Sequence, residues 1–345
     1  MKYHLYTTSR KAWSAMIKAI KQAKKSVYIE MYIFLDDMAD KHDFVSLLKT
    51  QALAGVEVVL VLDSFGSLEI KKQTIADLRQ AGVEVLFFSH FWHRTHRKII
   101  LVDKRLAFVG GVNIEKKIIN WHDIQIQLEG KKTVNAVLRS FAYTYQMCGG
   151  KNVHILAYYK KGLIKKIRSL VLESLPGHNM YSLLEYYKNK IITAKTSLKM
   201  VTPYFIPPRW LLALLDDARR RNVEIEIIIP YDTDIKTLNK INYSYIFQTA
   251  AWGVKFYASP VMNHAKILIV DGQEALIGSQ NMDIMSLGRN FEVGVFSRQK
   301  DMVKDLDEIF EKWKRRSTPF QVARIRLNWW DKIKVGTMRL FLSAI

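Results

Sequence analysis

The chain of 345 residues is poor in three things. It has one cysteine, Cys148, so it can form no intrachain disulfide. That fits a reducing compartment, and a lone cysteine of this kind is read as a small apolar residue rather than a nucleophile. It has no run of about 18 uncharged apolar residues, so no membrane-spanning helix is expected and any membrane contact would be peripheral. Its opening, MKYHLYTTSRKAW, lacks an apolar stretch after the charges, so no secretory leader is expected. The third shortage is acid: 32 Asp and Glu stand against 53 Lys and Arg, a formal net charge of +21. Such a balance favours anionic partners, either nucleic acid or acidic lipid, and says little about fold.

What the chain does have is hydrophobic material, 49% of its residues, and a repeat. AKKSVYIEMYIFLDD from Ala23 is echoed by AKTSLKMVTPYFIPP from Ala194, and GVEVVLVLD from Gly55 by NVEIEIIIPYD from Asn222. AGVEVLFFS from Ala81 is likewise echoed by WGVKFYAS from Trp252. Short β-branched runs alternate with helical patterns such as WLLALLDDARRR from Trp210, which predicts an α/β fold of βα units on a largely parallel or mixed sheet. The expected organisation is a first half over 1–150, a second half over 151–318, and a basic tail over 319–345. The Lys- and Tyr-rich stretch from Lys151 to His178 reads as a connecting helix and loop.

The repeat carries chemistry. HRKIILVDKRLAFVGGVN contains His96, Lys98, Asp103 and Asn113, and HAKILIVDGQEALIGSQN contains His264, Lys266, Asp271 and Asn281. The offset is constant: 264 − 96, 271 − 103 and 281 − 113 all equal 168. Residues two apart on a strand share a face, so each His points with its Lys. Each Asn should follow a second strand forming a hairpin with the first. If the halves pack about a pseudo-twofold axis, two His, two Lys and two Asn converge on one shared site. That set suits a phosphodiester: lysines offset charge on the phosphoryl oxygens and amides donate hydrogen bonds. One imidazole attacks phosphorus while the other protonates the leaving oxygen.

Asp103 and Asp271 follow their lysines at an odd offset, point away from that face, and are read as structural members of an otherwise catalytic motif. Asp123 and Glu292 lie at corresponding distances after the two histidines, 27 and 28 residues. Each is either the acceptor that orients an imidazole or an ordinary strand-end carboxylate. His90 and His93 with His96 mimic metal spacing, but further ligands are lacking. No metal and no cofactor are expected, and His90, His93 and Arg94 are read as the mouth of a pocket or a solvated loop.

The paired motifs, together with TPYFIPP from Thr202 and the Ser286 and Asn290-Phe291-Glu292 that follow the second motif, resemble the phospholipase D superfamily over nearly the whole chain. Within it they resemble the bacterial cardiolipin synthases, in a short form without N-terminal membrane helices. The resemblance implies a metal-free condensation of two phosphatidylglycerols to cardiolipin and glycerol through a phosphatidyl-histidine. It also implies His96 as nucleophile and His264 as acid and base, although the halves alone look alike. It further implies an anionic phospholipid membrane as partner, peripheral placement at the cytoplasmic face, no nucleic acid, and a site complete in one chain. Rival readings are a lipid hydrolase of the same superfamily, a nuclease, and a basic scaffold with a relic site.

The tail adds eight Lys or Arg to one Asp from Lys314 onward, with Val322, Ile325, Trp329 and Ile333 at helical spacing. It is read either as an interfacial membrane helix or as a helix docked on the protein itself.

Overall fold

The computed structural model describes residues 1–90, 92–160, 170–178 and 180–320. The tail from 321 onward therefore lies outside the described residues, and with it the two readings of that segment. The chain forms two compact units.

The first unit runs to Leu183 and also holds two later segments, Ile277–Ser279 and Arg289–Phe296. It opens with β1 (Lys2–Thr8), α1 (Ser9–Lys21), β2 (Ser26–Met31), α2 (Phe44–Leu53), β3 (Glu57–Asp63) and α3 (Lys72–Gln80). It continues with β4 (Glu84–Phe88), β5 (Lys98–Val102), β6 (Leu106–Gly110), β7 (His122–Glu129), α4 (Lys131–Met147) and α5 (Val153–Lys160). β8 (Val171–Leu175) and β9 (Met180–Tyr181) close its continuous part.

The elements start where local chemistry allows. Thr8 caps α1 by accepting from the Lys11 amide, and Asp43 caps α2 by accepting from the Ser46 amide at 2.9 Å. The seven-stranded sheet has the order β1-β7-β6-β5-β2-β3-β4. β2, β3 and β4 are parallel, joined through α2 and α3, whereas β5, β6, β7 and β1 are antiparallel. The sheet is thus mixed, because the motif strand β5 turns straight back into β6 as a hairpin instead of crossing over through a helix.

Alternation sorts its residues. Val58, Leu60, Leu62, Ile100 and Val102 join Trp13, Met16, Phe44 and Leu78 of the helices in one core. Val59, Val61, Ile99 and Leu101 are buried on the other face.

The second unit starts at Leu184, within α6 (Ser182–Thr193), and continues with β10 (Ser197–Val201), β11 (Phe205–Ile206), α7 (Arg209–Arg220) and β12 (Glu224–Pro230). Next come α8 (Lys236–Ala250), β13 (Lys255–Ser259), β14 (Ile267–Val270), β15 (Glu274–Gly278), β16 (Met282–Asp283) and α9 (Ile284–Gly288). β17 (Glu292–Ser297), α10 (Lys300–Arg315) and β18 (Thr318–Pro319) end the described chain. The strand order β14-β10-β12-β13 repeats the first unit's β5-β2-β3-β4, with β15 beside β14 as β6 is beside β5. α10 buries Met302, Leu306, Phe310 and Trp313 and packs on β13 and β14.

Two findings depart from the linear repeat. The stretch expected to be helix and loop contains α5 but also β8, a buried strand paired antiparallel with β17. The compact units do not divide where the duplication does, because β17 is packed with the first unit although its sequence belongs to the second repeat.

The two motif aspartates do the same job in both units. Asp103 accepts from the backbone amides of Lys24, Lys25 and Ser26, and Asp271 from those of Lys195, Thr196 and Ser197. Both sit in the left-handed region, at φ 52° and 53°, where an Asp tolerates a tight turn better than most residues. Each carboxylate thereby clamps the motif strand to the start of the neighbouring strand, β2 or β10. Burial opposes ionisation of Asp271, but three backbone amides and the Thr196 hydroxyl outweigh it and hold the carboxyl below its ordinary 3.8. A depressed carboxyl stabilises the fold above the unfolded value and loses that contribution as pH falls through the folded one. Asp271→Asn should therefore cost about 1–3 kcal/mol at neutral pH. Chemical denaturation should show this deficit closing as pH falls below about 3.8. A deficit that is independent of pH would contradict the clamp.

Candidate active site

In the first unit the site grows from the entry to β5. The backbone amide of His96 donates to the Phe291 carbonyl at 3.0 Å, and Thr95 bridges Phe291 as an isolated parallel pair. This contact brings Glu292 beside His96. The imidazole Nδ1 lies 3.0 Å from Glu292 Oε1 and 3.3 Å from Oε2, across 196 positions of sequence. Glu292 is fully buried, and its second oxygen accepts from the Ser279 hydroxyl. Ser279 is fixed in turn, since its hydroxyl accepts from the Val293 amide and its own amide donates to the Val293 carbonyl. A carboxylate on Nδ1 sets the proton there and leaves Nε2 as the basic nitrogen, the arrangement a nucleophilic imidazole requires.

Counting along the chain would give Glu292 to the histidine 28 residues before it, since 292 − 264 = 28. The structure instead gives it to His96. Asp123 lies at the start of β7, fully buried, with one carboxylate oxygen accepting from the Ile124 amide at 2.7 Å. That oxygen is also pressed against Gly111, where any side chain would collide with it. This explains the second glycine of Gly110-Gly111 by close approach rather than by turn geometry.

Lys98 is completely buried, with Nζ 2.6 Å from the His96 carbonyl and 5.0 Å from the Tyr32 ring centre. Tyr32 meets the His96 ring edge-on at 4.8 Å. Asn113 is 4% exposed; its carbonyl accepts from the Trp13 indole, while its side-chain oxygen has no hydrogen-bond partner among the described residues.

The second unit repeats this locally. His264 and Lys266 are buried, and Lys266 Nζ donates to the His264 carbonyl just as Lys98 does to that of His96. Asn281 is 5% exposed with its side-chain oxygen unpartnered among the described residues. Gln280 and Ser286 of this unit, and Asn290 of the first, also have buried side-chain atoms without a partner among the described residues. The two aspartates of the motifs, Asp103 and Asp271, are bound to backbone amides as described above rather than offered to a substrate.

Three features of this site escape sequence inspection. The residue between His96 and Lys98 is Arg97, and alternation turns it to the α4 face of the sheet, where it is fully buried. There it pairs with Glu30 through Nε and Nη2, each at 3.0 Å, and with Glu173 of β8 at 3.0 Å, and it also donates to Ser140 and Thr144 of α4. Burial pushes the Glu173 carboxyl up, and Arg97 works against that shift. The second feature is that Glu30 also accepts from the Thr95 hydroxyl, so both neighbours of His96 are tied to one carboxylate. The third is Asp63, at the end of β3, which accepts from the amides of Thr95, Phe65 and Gly66. The only signal for these residues in sequence is charge inside apolar strands.

The His90 and His93 rings meet at a tilt with centroids 4.5 Å apart, and His93 Nδ1 meets the Arg289 carbonyl at 2.8 Å. Among the described residues no cluster of His, Cys, Asp or Glu could hold a metal ion. Burial pushes the Cys148 thiol up to about 12, so it is protonated at neutral pH and a poor nucleophile.

Comparison with known proteins adds the following. The family model described as "Cardiolipin synthase, PLD-like domain" matches residues 16–145 and 187–314. The cardiolipin synthase of Clostridium perfringens (strain SM101 / Type A) is 31% identical over 89% of this chain and 69% of its own. The minor cardiolipin synthase ClsB of Bacillus subtilis (strain 168) is 31% identical over 81% of this chain and 73% of its own. Among solved structures, phosphatidylserine synthase from Haemophilus influenzae Rd KW20 superposes with a TM-score of 0.78 at 13% identity, over 98% of this chain and 92% of that one. At that identity the match speaks for the fold alone.

Arg97→Met tests the buried network. It strands two carboxylates away from water and should cost about 3–5 kcal/mol in chemical denaturation, far more than an exposed ion pair would. A loss below 1 kcal/mol would show that Glu30 and Glu173 are satisfied without it.

Proposed function

The chain belongs to the cardiolipin synthase family of phospholipase D-like phosphotransferases, and we propose that it condenses two phosphatidylglycerols to cardiolipin and glycerol through a phosphatidyl-histidine. The observation that carries this reading is the Glu292 carboxylate on Nδ1 of His96, which leaves Nε2 as a nucleophile.

His96 Nε2 attacks phosphorus of the first phosphatidylglycerol. The bond from phosphorus to the glycerol oxygen breaks, and glycerol departs with a proton from His264. His264, now neutral, takes the proton of the second phosphatidylglycerol's hydroxyl as that oxygen attacks phosphorus and the P–N bond breaks. The sequence returns both imidazoles to their starting states. Lys98 and Lys266 offset charge on the phosphoryl oxygens, and Asn113 and Asn281 donate to them as charge shifts. Glu292 keeps His96 in its reactive tautomer and compensates the positive charge on the phosphorylated ring. Asp123 is carried as a further candidate for an imidazole-orienting carboxylate. No metal or cofactor enters the scheme. The substrate places the protein at an anionic phospholipid surface, as a peripheral protein on the cytoplasmic face.

Purified protein incubated with phosphatidylglycerol vesicles should yield cardiolipin and glycerol in equal amounts, read by lipid chromatography. Phosphatidic acid as sole product would mean that water, not a second lipid, takes the phosphatidyl group. Glu292→Gln should lower turnover by about 10²–10⁴-fold, in the range set by losing a correctly oriented acid-base group. Ser279→Ala should lower it by less, because it loosens Glu292 without removing it.

A further inference from the structure

The loop between β3 and α3 is built inside out. Its polar members face inward: Ser67 donates to the Tyr32 carbonyl at 2.9 Å and accepts from the Phe34 amide at 3.1 Å. Asp63 accepts from the Phe65 and Gly66 amides at 3.0 and 2.8 Å. Gly66 lies so close to Tyr32 that any side chain there would strike it. The loop is therefore firmly seated, yet two of its large apolar side chains point outward, Phe65 at 60% and Leu68 at 75% exposure.

The loop after β4 adds Trp92, also 60% exposed. The two loops are joined. The Arg94 guanidinium covers the Phe65 ring at 4.7 Å and donates to the His90 and His93 carbonyls, and Arg289 lies over Trp92 at 5.7 Å. Exposed Lys71 and Lys72 follow, and Glu69 is the exposed acid between Leu68 and Lys71. A water-facing loop would gain nothing from presenting Phe, Leu and Trp among cations. A bilayer interface accommodates that combination, with apolar rings among the acyl chains and guanidiniums at the phosphates. The surface adjoins the site directly, because Asp63 holds both the Phe65 loop and the Thr95 amide that precedes His96.

We propose that Phe65, Leu68 and Trp92, flanked by Arg94 and Arg289, form a docking surface that inserts into the headgroup region of an anionic phospholipid bilayer and sets His96 at the depth of lipid phosphates. The inference rests on the reading of the substrate as a bilayer phospholipid, but its test does not require turnover.

A Cys148→Ser background carries Leu68→Cys labelled with an environment-sensitive nitrobenzoxadiazole dye. A second protein carries the dye at Leu53→Cys, an equally exposed leucine at the end of α2. Vesicles of phosphatidylcholine with phosphatidylglycerol should raise and blue-shift the emission at position 68 several-fold and leave position 53 unchanged. Vesicles of phosphatidylcholine alone should give a weaker response. In the full chain, Phe65→Ser/Leu68→Ser should weaken co-sedimentation with anionic vesicles by about tenfold or more, a loss expected for two partly inserted side chains. Equal responses at 68 and 53, or unchanged binding of the double variant, would overturn the proposal. Insertion without cardiolipin formation would leave the surface standing and reject the reaction. Cardiolipin formation with a silent position 68 would do the reverse.

Discussion

Arg97 is a full positive charge with no access to water, and the geometry around His96 depends on its neutralisation. The energetic stakes follow from burial: a charge in the interior is tolerated only where partners replace the lost hydration. Glu30 and Glu173 do that, and the Ser140 and Thr144 hydroxyls complete the set of acceptors. The arrangement has a positional consequence. Glu30 lies on β2, Glu173 on β8 and the hydroxyls on α4, so one guanidinium binds three elements at the position next to His96. Thr95, on its other side, is held by Glu30 and Asp63. His96 is thereby fixed from both flanks through the backbone before Glu292 fixes its ring.

The second contribution to this rigidity comes from far along the chain. Segment Arg289–Phe296 is part of the second sequence repeat but of the first compact unit. It supplies the Phe291 carbonyl that receives the His96 amide and the Glu292 carboxylate that receives Nδ1. A duplication that left each half self-contained would orient each imidazole with its own carboxylate. Here the later half contributes the orienting group of the earlier histidine, which makes His96 dependent on both repeats at the level of a single hydrogen bond.

Much of this was legible in sequence. The constant offset of 168 identified paired motifs, and two-residue alternation assigns each Lys to the face of its His and each Asp to the other, because side-chain direction in a strand follows from backbone geometry alone. The aspartates are attached to backbone amides. What alternation could not supply was the partner of a residue across 196 positions, since tertiary pairing has no local signature. Nor did it reveal β8, whose sequence VLESL is short and carries a Glu that Arg97 and the Ser140 hydroxyl make intelligible in a buried strand. The parallel character inferred from alternating strands and helices holds for β2, β3 and β4 and ends at β5, where a tight hairpin replaces a helical crossover.

His96, oriented by Glu292, is proposed as the nucleophile. The direct measurement is to incubate the His264→Ala protein with phosphatidylglycerol, quench, digest, and locate any phosphoryl adduct by tandem mass spectrometry. An acid-labile adduct is expected on the peptide containing His96, absent when His96 is replaced by Ala in the same background. An adduct found instead on His264 in the His96→Ala protein, with none on His96 in the His264→Ala protein, would contradict it.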